Sequence, residues 1–164
     1  MAYIDEAGLQ EYTAREGWEI AVEQVVGRDP AAAWHEWFAR VWDGETGAIM
    51  RDHGQEPSRV GSMREVPSMR MTEKIVGTGM PDPNDPQNAV PSISYTFENF
   101  TTRRLLGFVR FLPVEGNPAA TRVVWGVKWA PSVAGRLFLG GWLLVWALRA
   151  ATRSNIAKLQ PQAT

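Results

Sequence analysis

Residues 137–148 read LFLGGWLLVWAL, twelve positions without a charge, and Arg136 and Arg149 close the run at its two ends. A membrane-spanning helix needs roughly 17–25 mostly apolar residues. The run is too short for that, so burial inside a domain is the expectation, with peripheral membrane contact as the alternative. We read residues 132–159 as a long C-terminal helix covering a sheet. Within it Gly135, Gly140 and Gly141 each cost about 1 kcal/mol of helix stability relative to alanine. Either of two gains would offset the loss: close approach to the sheet, or room for a ligand walled by Trp142, Trp146, Trp125 and Tyr95.

The strands announce themselves by alternation. In residues 18–26 (WEIAVEQVV) Trp18, Ile20 and Val22 point one way and Glu19, Ala21 and Glu23 the other, the period of a half-buried strand. Asp29 is placed to cap a helix whose first position is Pro30. Ala33, Trp34, Trp37, Phe38 and Val41 give that helix one apolar face, and it should end before Gly44. Residues 43–61 read as a loop or short irregular strand. Strands are predicted at 62–66 and 69–76, joined at Pro67, with Met69, Met71, Glu73 and Ile75 on one face. A long loop follows at 77–91, rich in Pro, Gly, Asn and Asp. Residues 92–100, 105–114 and 121–129 alternate again. Short turns between the later strands imply antiparallel neighbours. The order strand, helix, several strands, long helix defines an α+β domain: a curved antiparallel sheet, a short helix after the first strand, and a long C-terminal helix.

Charge and composition remove several function classes. Seventeen basic residues against eighteen acidic ones leave a net charge of -1, so no field is expected to steer the chain onto nucleic acid or an anionic membrane. The absence of cysteine removes disulfides, thiolate catalysis and thiolate metal sites. His35 and His53 have no convergent partners, so no metal and no cofactor are expected. The N-terminal residues lack a basic start and an apolar signal core, which points to the cytoplasm. Stable membrane insertion is not expected, and the chain should be a monomer or homodimer. Eight tryptophans are many for 164 residues; they either fill core volume or line an apolar pocket.

Four local motifs, in order, carry a family resemblance. They are Asp29-Pro30-Ala31-Ala32-Ala33-Trp34 after the first strand, Gly61-Ser62-Met63-Arg64, Met71-Thr72-Glu73-Lys74-Ile75, and Thr121-Arg122-Val123-Val124-Trp125 followed by Trp129-Ala130-Pro131 and the long helix. Together they resemble the START/Bet v 1-like superfamily, also labelled SRPBCC or polyketide cyclase/dehydrase-like. The likeness covers residues 18–160 and leaves residues 1–17 as an N-terminal extension. It implies a helix-grip fold with a cavity between sheet and helix. Members bind lipids, sterols, polyketides or plant hormones, and some are cyclases. Where the family often carries tyrosine-proline-x-tryptophan, this chain has Trp42-Asp43-Gly44-Glu45, so the ligand entrance is expected to differ there.

Two functions from different classes follow. One is binding of a hydrophobic small molecule (a lipid, polyketide or aromatic compound) lined by Trp34, Trp37, Phe38, Met71, Glu73, Tyr95, Phe97, Val109, Trp125, Val127, Phe138, Gly141, Trp142 and Val145. The other is a polyketide cyclase or dehydratase. There Glu73, on an apolar strand face, would be the acid/base, with Tyr95 or Arg64 holding an enolate oxygen. Glu73 can equally be half of a structural ion pair with Arg64, and Tyr95 a core ring with a satisfied hydroxyl.

Overall fold

The computed structural model describes residues 18–81, 90–98, 102–131 and 141–161. Alternation at the start of the first stretch becomes strand β1 (Trp18–Val26), with Ile20, Val22 and Val26 buried and Ala21, Glu23 and Val25 exposed. Helix α1 (Pro30–Trp37) follows. Asp29 caps it, one carboxylate oxygen accepting from the Ala32 amide at 2.9 Å, and Pro30 brings no amide that would need a partner. The helix then widens into a π-helical turn, Phe38–Trp42, in which the Asp43 amide donates to the Phe38 carbonyl at 2.8 Å. It stops before Gly44, as expected.

Strands β2 (Ile49–Asp52), β3 (Met63–Val66), β4 (Met71–Gly79), β5 (Ser92–Glu98), β6 (Thr102–Val114) and β7 (Asn117–Pro131) complete one antiparallel sheet. Its spatial order is β1-β7-β6-β5-β4-β3-β2. Register shifts interrupt the ladders between Met50 and Asp52, between Ile75 and Gly77, and near both ends of β6. Such bulges bend a strand and increase its twist, which curves the sheet. Helix α2 (Gly141–Ala157) lies against β1. The remainder of the expected helix from residue 132, with Gly135, Phe138 and Gly140, falls outside the described residues.

Several strand boundaries differ from expectation; β6 begins at Thr102 and β7 at Asn117, three and four residues before the starts read at 105 and 121. Pro67 cannot donate to a ladder, and Pro67–Met69 form a 3-10 turn that ends at Arg70 with φ of 47°. Strand β4 therefore begins at Met71, and Met69 is exposed rather than sharing the inward face of Glu73 and Ile75. At its other end β4 runs on to Gly79, three residues into the segment read as loop.

The two ends of the sheet are packed differently. At the end where β1 finishes, the C-terminus of α2 is tied down. The Arg28 guanidinium donates to the Leu159 carbonyl at 2.8 Å, and the Gln160 amide donates to the Val25 carbonyl at 3.0 Å and accepts from the Gly27 amide at 3.3 Å. Val26, Ala33, Ile93, Phe111, Val123, Ile156 and Leu159 are fully buried there. From this closed end α2 runs back along β1. Towards the end where β4 starts and β5 finishes, Met71, Phe97, Val145 and Leu148 are only partly buried. The described apolar side chains are thus less completely buried at that end.

Candidate functional site

The floor of the apolar interior is a cluster of four rings. Trp37 stacks on Trp42 with centroids 5.9 Å apart, and lies 5.6 Å from Trp125 and 6.4 Å from Tyr95. Tyr95 meets Trp125 edge-on at 6.3 Å, and the Trp125 indole donates to its hydroxyl oxygen at 2.9 Å. Gly107 makes room for this arrangement. It is the register partner of Tyr95 on β6, and a Cβ there would overlap the tyrosine ring. Trp42 donates to the Ser62 hydroxyl at 2.9 Å, whereas the buried Trp37 Nε1 has no hydrogen-bond partner among the described residues. Burial raises the Tyr95 pKa well above the ordinary phenol value, and the Glu73 charge adds to the rise, so its proton stays on.

Beside the rings lies a buried ionic node. Arg64 is 4% exposed and Glu73 6% exposed, and the β3–β4 register places them directly opposite each other. Arg64 Nε donates to Glu73 at 2.5 Å, Nη1 to the Val41 and Trp42 carbonyls at 2.7 and 2.5 Å, and Nη2 pairs with Glu45 at 2.9 Å. Its guanidinium also rests 4.4 Å from the centre of the Trp42 ring. The two carbonyls belong to the last turn of the first helical segment, where backbone acceptors lack helical partners. Arg64 therefore ends that helix and anchors it to the sheet.

Desolvation is the largest influence on Glu73 and raises its pKa above the usual 4.5. Arg64 pulls in the opposite direction and Glu45 adds to the rise. A carboxyl whose folded pKa lies above its unfolded one stabilises the fold most at low pH. That contribution is lost as pH rises through the folded value. The stability of the native protein relative to Glu73→Gln should therefore fall as pH climbs from 4.5 towards neutrality. Urea titrations of both proteins at a series of pH values check this; a flat difference would mean that Arg64 fully compensates the burial.

The predicted lining residues separate into groups. Trp37, Tyr95, Trp125, Arg64 and Glu73 converge at the floor, and Met71, Phe97 and Val145 lie towards the less buried end. Val127 and Val109 are buried on the inward faces of β7 and β6. Trp34 and Phe38 lie on the α1 side: the Trp34 indole reaches the Ser92 carbonyl at 3.3 Å, and Phe38 lies under the Arg59 guanidinium at 5.1 Å. Gly141 opens α2; the side chain of Trp142, like all of Phe138, is outside the described set. One expectation is overturned. Trp146 does not wall the interior; it is 70% exposed on the outer side of α2. Trp42 and Glu45 were not among the expected site residues, although the departure Trp42-Asp43-Gly44-Glu45 marked their segment.

No family model and no curated protein matches the sequence. Solved structures match by shape. A structural-genomics protein from Nitrosospira multiformis aligns with a TM-score of 0.60 at 15% identity, over 87% of this chain and 93% of its own. Ara h 8.0201 gives 0.57 at 11% identity, over 88% and 95%. Norcoclaurine synthase from Thalictrum flavum, in complex with dopamine and hydroxybenzaldehyde, gives 0.57 at 13% identity, over 93% and 91%. At such identities the likeness is one of fold. The chain has the Bet v 1-like helix-grip fold: a curved antiparallel sheet, a short helix after its first strand, and a C-terminal helix.

Proposed function

We propose that the protein binds a hydrophobic small molecule between α2 and the less buried end of the sheet. The observation that carries this is the packing gradient. The inward apolar side chains of the closed end are fully buried, while Met71, Phe97, Val145 and Leu148 at the other end keep apolar surface uncovered. Covering such surface is worth roughly 25 cal/mol per Å². The floor adds polar definition. Trp37 Nε1 is a buried donor without a partner among the described residues, and no described residue accepts the Tyr95 hydroxyl proton. A ligand with an apolar or aromatic body and one acceptor oxygen at its leading end would satisfy either group. Dopamine and hydroxybenzaldehyde, the compounds held by the norcoclaurine synthase structure, are small aromatic molecules of this kind.

Titration with 1-anilinonaphthalene-8-sulfonate, followed by its fluorescence, should show saturable binding by the native protein. Phe97→Asp should weaken it about tenfold or more, since a full aromatic contact is worth about 1.5–3 kcal/mol. Equal binding by both proteins would refute the site. Native mass spectrometry of the purified protein should in addition reveal a co-purified apolar molecule.

A second reading, an enzyme of the cyclase or dehydratase type, is favoured by one observation: Glu73 lies close enough to Tyr95 for its charge to raise the phenol pKa, and its own pKa is raised. Against it stands the commitment of Glu73 to Arg64, which the helix end also needs. The Glu73→Gln variant separates the two readings, because it should keep probe binding and, only in an enzyme, abolish turnover of a polyketide surrogate.

A further inference from the structure

Helix α2 has an outer face that the ligand reading does not use. Val145, Leu148, Thr152 and Ile156 turn inward. Trp146, Arg149, Ala150, Arg153 and Ala157 recur at the spacing of one stripe on the outward flank and are all exposed. A tryptophan left 70% exposed, followed by alanines and flanked by two arginines, is an unusual surface for a helix with only water outside it.

The charge distribution along the chain points the same way. All eighteen acidic residues, but only eleven of the seventeen basic ones, lie before residue 116. The remainder holds Arg122, Lys128, Arg136, Arg149, Arg153 and Lys158 and not one carboxylate side chain. In the fold Arg122 pairs with Glu23 and Lys128 is buried, whereas Arg149 and Arg153 stand exposed on α2, which carries no carboxylate side chain. Glu36, on α1 near the end of α2, is already paired with Arg28 and Arg40.

We propose that the outer face of α2 docks on an anionic lipid bilayer surface, with the helix lying in the interface and Trp146 at the level of the headgroups. Tryptophan favours that depth because its ring is apolar and its N–H polar. Arg149 and Arg153 supply the attraction to acidic headgroups. No described helix is long and apolar enough to cross a membrane, so the contact is a surface one. Because Trp146 directly follows Val145, only about 100° further round α2, docking through Trp146 brings the Val145 end of the grip close to the bilayer.

Cosedimentation with vesicles, in the absence of any added ligand, tests this. Native protein should bind vesicles of phosphatidylcholine mixed with phosphatidylserine, not phosphatidylcholine alone, and salt should weaken the binding. Arg149→Glu with Arg153→Glu should weaken it about 30-fold or more, from the loss of two surface cations alone. Trp146→Ala should weaken it as well, while all three side chains are exposed enough for the fold to survive, as circular dichroism verifies. Binding that ignores lipid charge, or that survives both variants, overturns the proposal. So does a concentration-dependent dimer in gel filtration that Trp146→Ala dissolves, because the face would then belong to a second copy. Binding of the naphthalene probe should be the same in the Trp146→Ala variant, so failure of this proposal and failure of the ligand reading remain distinguishable.

Discussion

Arg64→Leu is expected to lower the free energy of unfolding by about 3–5 kcal/mol, read from the shift of the urea midpoint. A single guanidinium serves four acceptors: Glu73, Glu45, and the carbonyls of Val41 and Trp42. Its removal leaves a buried carboxylate without a counter-charge and two helix-end carbonyls without donors. The cost is that of stranded polar groups rather than of one lost bond. Adding Glu73→Gln to Arg64→Leu should recover part of the loss, since a neutral amide needs no counter-charge. The two effects will therefore not add. If the double variant is as unstable as the sum of the singles, the node is not one unit.

Trp37→Ala should cost a similar amount, about 3–5 kcal/mol, for a different reason. The ring is 1% exposed and has Phe38, Trp42, Tyr95 and Trp125 around it at centroid separations of 5.3, 5.9, 6.4 and 5.6 Å. Each neighbour is itself fixed by its strand or helix, so the space cannot collapse and a cavity remains. Trp37→Phe keeps most of the ring and deletes an N–H that has no partner among the described residues, so it should cost clearly less. Thermal or chemical denaturation of the two variants decides the point. Equal losses would show that the indole nitrogen is satisfied in solution, by a water or a bound molecule.

Much of the frame is legible from local pattern. Asp29 and Pro30 mark the helix start because capping and fixed φ are local effects, and alternation locates β1, β5 and β7 because one face of each is apolar. The pairing of Glu73 with Arg64 follows from adjacent strands and an inward carboxylate. What is not local was not legible. Glu45 and Trp42 reach Arg64 only because the first helix ends in a π-helical turn, which no spacing in the chain announces. Trp146 has the composition of a wall residue, but its helical phase puts it outside; counting tryptophans says nothing about phase. Met69 fits the alternation of β4, yet Pro67 breaks the ladder two residues earlier.

The pairing of β1 with β7 also governs how the chain comes into being. Trp18 meets Trp129 and Val26 meets Thr121, so the first strand is separated from its partner by about a hundred residues. At the usual 5–20 residues per second of synthesis, β1 leaves the ribosome roughly 5–20 s before β7 is made. Over that interval WEIAVEQVV is a β-prone segment with neither a neighbour nor a covering helix, and its charges are what discourage it from pairing with another copy. The same distance makes sheet closure a late event in refolding, slow in the manner of non-local β topologies.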